Sequence, residues 1–222
     1  ALRAGAGLVS VATRAAHAAA LTAAQPELMC RGVERAEQLK PLIERADVIA
    51  VGPGLGQDEW GWMVCGEAFA AGKPLVVDAD ALNLLAHSPR RNDGWVLTPH
   101  PGEAARLLGI TAAAVQADRV AAARALRERY GGVALLKGPG TLVQGEVLAL
   151  CPYGNAGMAV GGMGDALTGI IAAFIAQGQT PETAACAGAL AHAIAGDRAA
   201  RDGERGLMPT DLVGELRGVV NP

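Results

Sequence analysis

Five short runs in this chain are apolar almost throughout, and four of them end in a loop of glycine, proline or polar residues. They are Leu8-Val9-Ser10-Val11-Ala12; Asp47–Val51, entering Gly52-Pro53-Gly54-Leu55-Gly56; Leu75–Val77, entering Asp78-Ala79-Asp80-Ala81-Leu82; Trp95–Leu97, entering Thr98–Glu103; and Val133–Leu136, entering Lys137–Thr141. A strand with one wet face alternates polar and apolar residues. Unbroken apolar runs mark strands covered on both faces of a parallel sheet. Helical patterns fill the gaps: Glu59–Ala71, Glu103–Leu108 stopped by Gly109, Thr111–Tyr130 closed by Gly131-Gly132, and Ile170–Ala176. Another begins at Thr180-Pro181-Glu182, a cap followed by proline at the first helical position. Thr141–Val143 and Glu146–Leu150 flank Gln144-Gly145 and predict a hairpin. The alternation predicts an α/β layered fold, a mostly parallel central sheet flanked by helices, as one domain over residues 1–222. The opening Ala1–Gly7 reads as the last turn of a helix entering a loop, so we expect an earlier strand and helix upstream.

In such a sheet, ligands bind beyond the carboxyl ends of the strands. Composition narrows what could bind there. The net charge is −3, so there is no basic footprint for nucleic acid. Aromatics are 3% of residues, too few for base-stacking platforms, while 47 Ala and 30 Gly suit close helix–sheet packing. The longest uncharged runs, Ala166–Ala176 and Ala184–Ala195, fall short of the roughly 20 residues that span a bilayer, and no signal peptide is visible. Cys30, Cys65, Cys151 and Cys186 lie far apart without metal-binding spacing, as expected of reduced thiols in a cytoplasmic protein. Little surface charge and Ala-rich helices make a homo-oligomer the expected assembly.

The most informative stretch is Gly154–Gly169, with Asn155 near its start, Gly161-Gly162-Met163-Gly164-Asp165 at its centre and an apolar helix after it. Glycines ahead of a helix let bare N–H groups converge, and the helix N-terminus adds partial positive charge. Together they form a phosphate site. Asp165 at that mouth is either an ordinary N-terminal acid or a general base that takes a proton from an attacking hydroxyl. Lys137-Gly138-Pro139-Gly140-Thr141 offers a lysine to neutralise phosphate and glycines for close backbone approach, but the GxxxxGK[ST] pattern is absent. Gly52–Gly56 is not in the GxGxxG register. Asp78 and Asp80 are read as helix caps or as acids holding Mg²⁺ through water. His100 and Glu103 stand at a strand-to-helix exit, whereas His17, His87 and His192 are read as structural or surface groups. Neither a serine nucleophile elbow nor HExxH occurs.

The segments Gly52–Gly56, Asp78–Asn83, Thr98–Glu103, Lys137–Thr141 and Gly154–Gly169 occur in the order and spacing of a known family, and the chain resembles the ADP-dependent NAD(P)H-hydrate dehydratases over its whole length. The resemblance implies a ribokinase-like fold. It implies a hydrated NADH or NADPH as substrate, with ADP as cosubstrate and Mg²⁺ serving its phosphates. The added hydroxyl would be phosphorylated and phosphate then eliminated. By the same resemblance Asp165 matches the substrate-contacting acid and catalytic base. Gly164 and Lys137, Gly138, Pro139, Gly140 and Thr141 match adenine-nucleotide contacts. Gly54, His100 and Asn155 fall in substrate-contacting segments, and Glu103 sits where related kinases place a carboxylate near magnesium-bound phosphate. The domain is often fused to an NAD(P)H-hydrate epimerase. The competing readings are a hydroxyethylthiazole-type kinase of the same fold and a non-catalytic adenine-nucleotide-binding module.

Overall fold

The computed structural model describes residues 1–221. In chain order its elements are β1 (Ser10–Thr13), α1 (Ala15–Ala24), β2 (Met29–Gly32), α2 (Ala36–Arg45), β3 (Ile49–Val51), α3 (Glu59–Ala70), β4 (Leu75–Val77), α4 (Ala79–His87), β5 (Trp95–Leu97), α5 (Pro101–Leu108), α6 (Ala112–Ala117), α7 (Arg119–Tyr130), β6 (Val133–Leu136), β7 (Thr141–Gln144), β8 (Leu148–Cys151), α8 (Met163–Ala176), α9 (Pro181–Ala199) and α10 (Pro209–Val219).

The main sheet has the order β3-β4-β5-β6-β7-β8. Strands β3 to β6 are parallel, and β6-β7-β8 continue antiparallel. Successive side chains of a strand point to opposite faces. Leu75, Val77, Trp95, Leu97, Ala134 and Leu136 therefore face one core with α2 to α7. Val76, Val96, Val133 and Leu135 face another, built with α8, α9 and α10. That double burial is why these runs are apolar without alternation. Each fully buried Leu82, Leu126 or Ile170 contributes roughly 1.5–3 kcal/mol of transfer free energy. The alanine content has a packing role. Helix α9 buries Ala184, Ala185, Ala189, Ala191, Ala193 and Ala195, and a Cβ at Gly188 would come within 2.6 Å of Ile171 Cγ1. Helices α8 and α9 lie too close for anything larger.

Three expectations need correction. The run Leu8–Ala12 is not a buried strand of the main sheet. Strand β1 pairs only with β2, in a separate two-stranded parallel sheet, and Leu8 is 83% exposed. It is tied to the body by Arg14, whose Nη2 lies 2.6 Å from Asp58 Oδ2 and whose guanidinium covers the Trp60 ring. The helix read over Thr111–Tyr130 is two helices. Asp118 interrupts it and caps α7, its Oδ1 accepting from the Ala121 N–H at 2.8 Å. The hairpin is present, but Gln144 pairs with Leu148, so its loop is Gly145–Val147.

The exits of the parallel strands share one edge. There the ladder continues into the loops. The N–H groups of Asp78, Thr98 and Lys137 donate to the carbonyls of Val51, Val77 and Pro99 at 3.1, 3.1 and 2.9 Å. Gly52 has φ +130, and a Cβ there would stand 1.7 Å from the Asp78 carbonyl oxygen. Gly52→Ala is expected to cost on the order of 3 kcal/mol by chemical denaturation, since backbone must move. Gly54→Ala, with φ +64 but nothing within 4 Å, is expected to cost about 1 kcal/mol.

Candidate active site

The exits of β4 and β6 meet in an ion pair between a buried carboxylate and a half-buried lysine. Asp78, 1% exposed, places Oδ1 2.8 Å from Lys137 Nζ. Its Oδ2 accepts from Thr168 Oγ1 at 2.7 Å, so one carboxylate joins two strand ends to α8. Asp78 is the N-cap residue of α4, but its side chain makes no cap hydrogen bond, because its oxygens are engaged by Lys137 and Thr168. Asp80 instead organises the glycine loop. Its Oδ2 accepts from the Gly56 N–H at 2.9 Å and its Oδ1 from Gln57 Nε2 at 3.1 Å. Ala79, between the two acids, has φ 46, the one left-handed non-glycine among the described residues. Strain of this kind persists where surrounding contacts over-determine the backbone.

The exit of β5 adds His100 and Glu103. The Gly102 N–H donates to His100 Nδ1 at 3.0 Å, which places the ring proton on Nε2, 3.5 Å from Glu103 Oε1. Glu103 is buried. Its Oε2 accepts from the His100 N–H at 2.8 Å and lies 3.8 Å from Lys137 Nζ. Glu103 thus closes the cap of α5 while adding negative charge beside the lysine.

Helix α8 starts at Met163, earlier than the sequence pattern shows, with Gly162 as its cap at φ 90. Gly164 and Asp165 therefore lie in its first turn. A Cβ at Gly164 would stand 3.0 Å from Lys137 Nζ and 3.6 Å from Asp78 Oδ2, so only glycine leaves the pair accessible there. Asp165 is exposed. Its carboxyl is pushed above the ordinary value first by partial desolvation and then by the Asp78 charge, with Lys137 opposing. On the α9 side, His192 Nε2 lies 2.9 Å from the Met163 carbonyl. Burial lowers its pKa to about 4, so the neutral ring donates its N–H to the start of α8.

The Lys137–Thr141 loop is held from beneath. Arg119 at the start of α7 donates to the carbonyls of Leu136, Lys137 and Pro139. Gly138, at φ +144, would press a Cβ to 3.0 Å from that guanidinium. Thr141 Oγ1 donates to the Gly138 carbonyl at 3.1 Å. Asn155 is less available. Its Nδ2 donates to Asp197 Oδ1 at 2.9 Å, and the Gly154 N–H donates to the other oxygen at 3.1 Å. Its own Oδ1 is buried without a partner.

The structure thus gathers Lys137, Gly164, Glu103 and His100 around the Asp78 pair, with the Asp165 carboxyl within reach of both charges. Gly54 stands at the tip of the neighbouring loop, and Asn155 is held by α9. Asp78 as a paired ion, Thr168, Arg119, Asp197 and the buried contact of His192 escaped the sequence reading. Only Thr168 carried a local signal, one helical turn beyond Asp165. Among the described residues no group of three or more His, Cys, Asp or Glu side chains could enclose a metal ion. The donor set suits a cation that arrives on phosphates with its water shell.

The family model described as NAD(P)H-hydrate dehydratase matches residues 1–217. The bifunctional NAD(P)H-hydrate repair enzyme of Coxiella burnetii is 52% identical over 225 residues, covering 100% of this chain and 46% of that protein. The chain therefore spans about half the length of such relatives. The ADP-dependent (S)-NAD(P)H-hydrate dehydratase of Neisseria meningitidis is 40% identical over 186 residues, covering 80% of this chain and 62% of that protein. Among solved structures, the ADP/ATP-dependent NAD(P)H-hydrate dehydratase of Bacillus subtilis co-crystallised with ATP/Mg²⁺ superposes with a TM-score of 0.85 at 26% identity, covering 99% of this chain and 80% of that one.

Asp78→Ala is expected to cost about 3 kcal/mol, because it leaves the half-buried Lys137 with only Glu103 at 3.8 Å and removes the acceptor of the buried Thr168 hydroxyl. In a denaturation cycle, Asp78→Ala/Lys137→Met should cost less than the sum of the single changes. His192 is neutral when folded but charges below its ordinary pKa when unfolded. Its stabilising effect is present above pH about 6.5 and is lost as pH falls towards 4, by roughly 3 kcal/mol. The stability difference between the wild type and His192→Gln should narrow over that window.

Proposed function

This chain belongs to the NAD(P)H-hydrate dehydratase family, and from that membership we propose that it restores NADH and NADPH from their hydrated forms with ADP as cosubstrate. The hydroxyl that hydration placed on the nicotinamide ring attacks the terminal phosphorus of ADP. AMP leaves, and the resulting phosphate ester collapses. Phosphate departs with the C–O bonding pair, a ring proton is lost, and the double bond of the dihydronicotinamide returns.

The observation that carries this reading is a free carboxylate beside a restrained cation. Asp165 stands in the first turn of α8, one residue from the glycine that overlies Lys137 and Asp78. Asp165 takes the hydroxyl proton as the oxygen attacks, and its raised proton affinity suits that role. Lys137 and the first-turn N–H groups of α8 receive phosphate charge. Lys137 to Thr141 line the nucleotide side, with Gly54 and His100 facing the dinucleotide. Mg²⁺, when bound, would neutralise the phosphates and be held chiefly by them, with Glu103 contributing through phosphate or water. Among the described residues no helix is long and apolar enough to cross a membrane. The free thiols of all four cysteines support a cytoplasmic setting. The bifunctional relatives support a companion NAD(P)H-hydrate epimerase, fused or separate.

The test supplies chemically hydrated NADH with ADP and Mg²⁺ and follows recovery of the reduced-nicotinamide absorbance. A stable phosphorylated product without that recovery would mark a kinase instead, and ADP binding without turnover a sensing module. Asp165→Asn should lower kcat by about 10²–10⁴-fold while nucleotide binding persists. The base works only when deprotonated, so kcat/KM should fall as pH drops through a limb lying above the ordinary carboxylate range, and Asp165→Asn should abolish that limb.

A further inference from the structure

A groove of about 460 Å³, lined by Gln57, Asn83, Ala86, His87 and Arg106, lies outside the site just described. Helices α4 and α5 carry it, and both begin at the catalytic edge, at Asp78 and His100. Arg106 is six residues from His100, and His87 eight from Ala79, so at 1.5 Å per residue the groove leads about 9–12 Å away from that edge. Its near end is continuous with the glycine loop, because Gln57 and Gly56 bind the two oxygens of Asp80.

The chemistry of the groove is uneven along its length. Arg106 donates Nη1 to Asn83 Oδ1 at 2.5 Å. Among the described residues it forms no ion pair with a carboxylate. One of five N–H donors is used, and the rest of a planar cationic fork faces an open groove. Such a fork matches phosphate bidentately. Beyond it, the lining residue His87 stacks with Trp62, which borders the groove rather than lining it, ring centroids 6.3 Å apart, and Trp62 is 41% exposed. An anion receptor followed by a flat aromatic platform is the complement of a nucleotide.

We propose that this groove is the subsite for the second nucleotide of the dinucleotide substrate, with Arg106 receiving its phosphate and Trp62–His87 its base. The inference rests on the dehydratase reading. Asn83 then has a role that the chemistry at the sheet edge does not give it: it fixes the guanidinium across the two helices. Arg106 acts on binding alone, since the reacting atoms lie at the other end of the substrate.

The experiment measures kcat and KM for both NADH hydrate and NADPH hydrate in the wild type, Arg106→Ala, Arg106→Lys and Trp62→Ala, with melting temperatures. Arg106→Ala should raise KM roughly tenfold or more at little-changed kcat, and Arg106→Lys should restore part of it. A rise confined to NADPH hydrate assigns the 2′-phosphate, and an equal rise for both assigns the diphosphate. Trp62→Ala, at an exposed position, should raise both KM values without loss of fold. Wild-type turnover with KM unchanged in all three variants overturns the subsite alone, including the case where only the melting temperature of the Arg106 variants falls. A wild type inert toward both hydrates overturns the dehydratase reading and the subsite with it.

Discussion

A half-buried lysine beside a buried carboxylate is the contact on which the sheet edge depends. Taking both charges out of water is costly, and their attraction offsets that cost only with good geometry and satisfied remaining lone pairs. Here Asp78 meets the condition by splitting its oxygens between Lys137 and Thr168. Those three residues come from the ends of β4 and β6 and from α8. The pair therefore sets where the helix N-terminus stands relative to the strand exits, which is the geometry a phosphate site needs. Glu103 at 3.8 Å places a further negative group beside the lysine.

Around that pair the chain uses backbone rather than side chains. Gly164 leaves the lysine reachable, and Gly52 lets the first loop close on the Asp78 carbonyl. Arg119 spends its donors on the carbonyls of Leu136, Lys137 and Pro139, which holds the loop in place from α7. A site built this way recognises charge and shape at close range and needs few aromatics. That accounts for a chain rich in Gly and Ala in which only 3% of residues are aromatic.

How much of this the sequence discloses depends on how local the cause is. Strands β4, β5 and β6 match their apolar runs residue for residue because burial on both faces leaves no other pattern. The start of α9 is written in Thr180-Pro181, and the end of α5 in Gly109. Strand β1 misled because an apolar run shows only that a strand suits burial, not which sheet it joins. The break at Asp118 is hidden because one helical turn that ends and restarts keeps the same composition. Within the site, the motif residues could be singled out by type and spacing. The partners that hold them could not. Asp78 and Lys137 are 59 positions apart and Thr168 is 90 from Asp78, and no local pattern links residues at that separation.

The same separation explains how Asp165 can be both exposed and basic. Its neighbours oppose one another: Asp78 raises its proton affinity and Lys137 lowers it. The ion pair thus sets a balance at the carboxyl without touching it. An incoming phosphate alters only one side of that balance. By placing negative charge against Lys137 it would offset the one influence that lowers the Asp165 proton affinity, while desolvation and the Asp78 charge remain. On the proposed reading, the proton affinity of Asp165 would therefore rise further with the phosphoryl donor in place, when a hydroxyl proton must be accepted. Lys137 in this arrangement does more than attract the anion. Shared between a buried acid and the ligand of the proposed reaction, it would couple nucleotide binding to the proton affinity of a residue on another element.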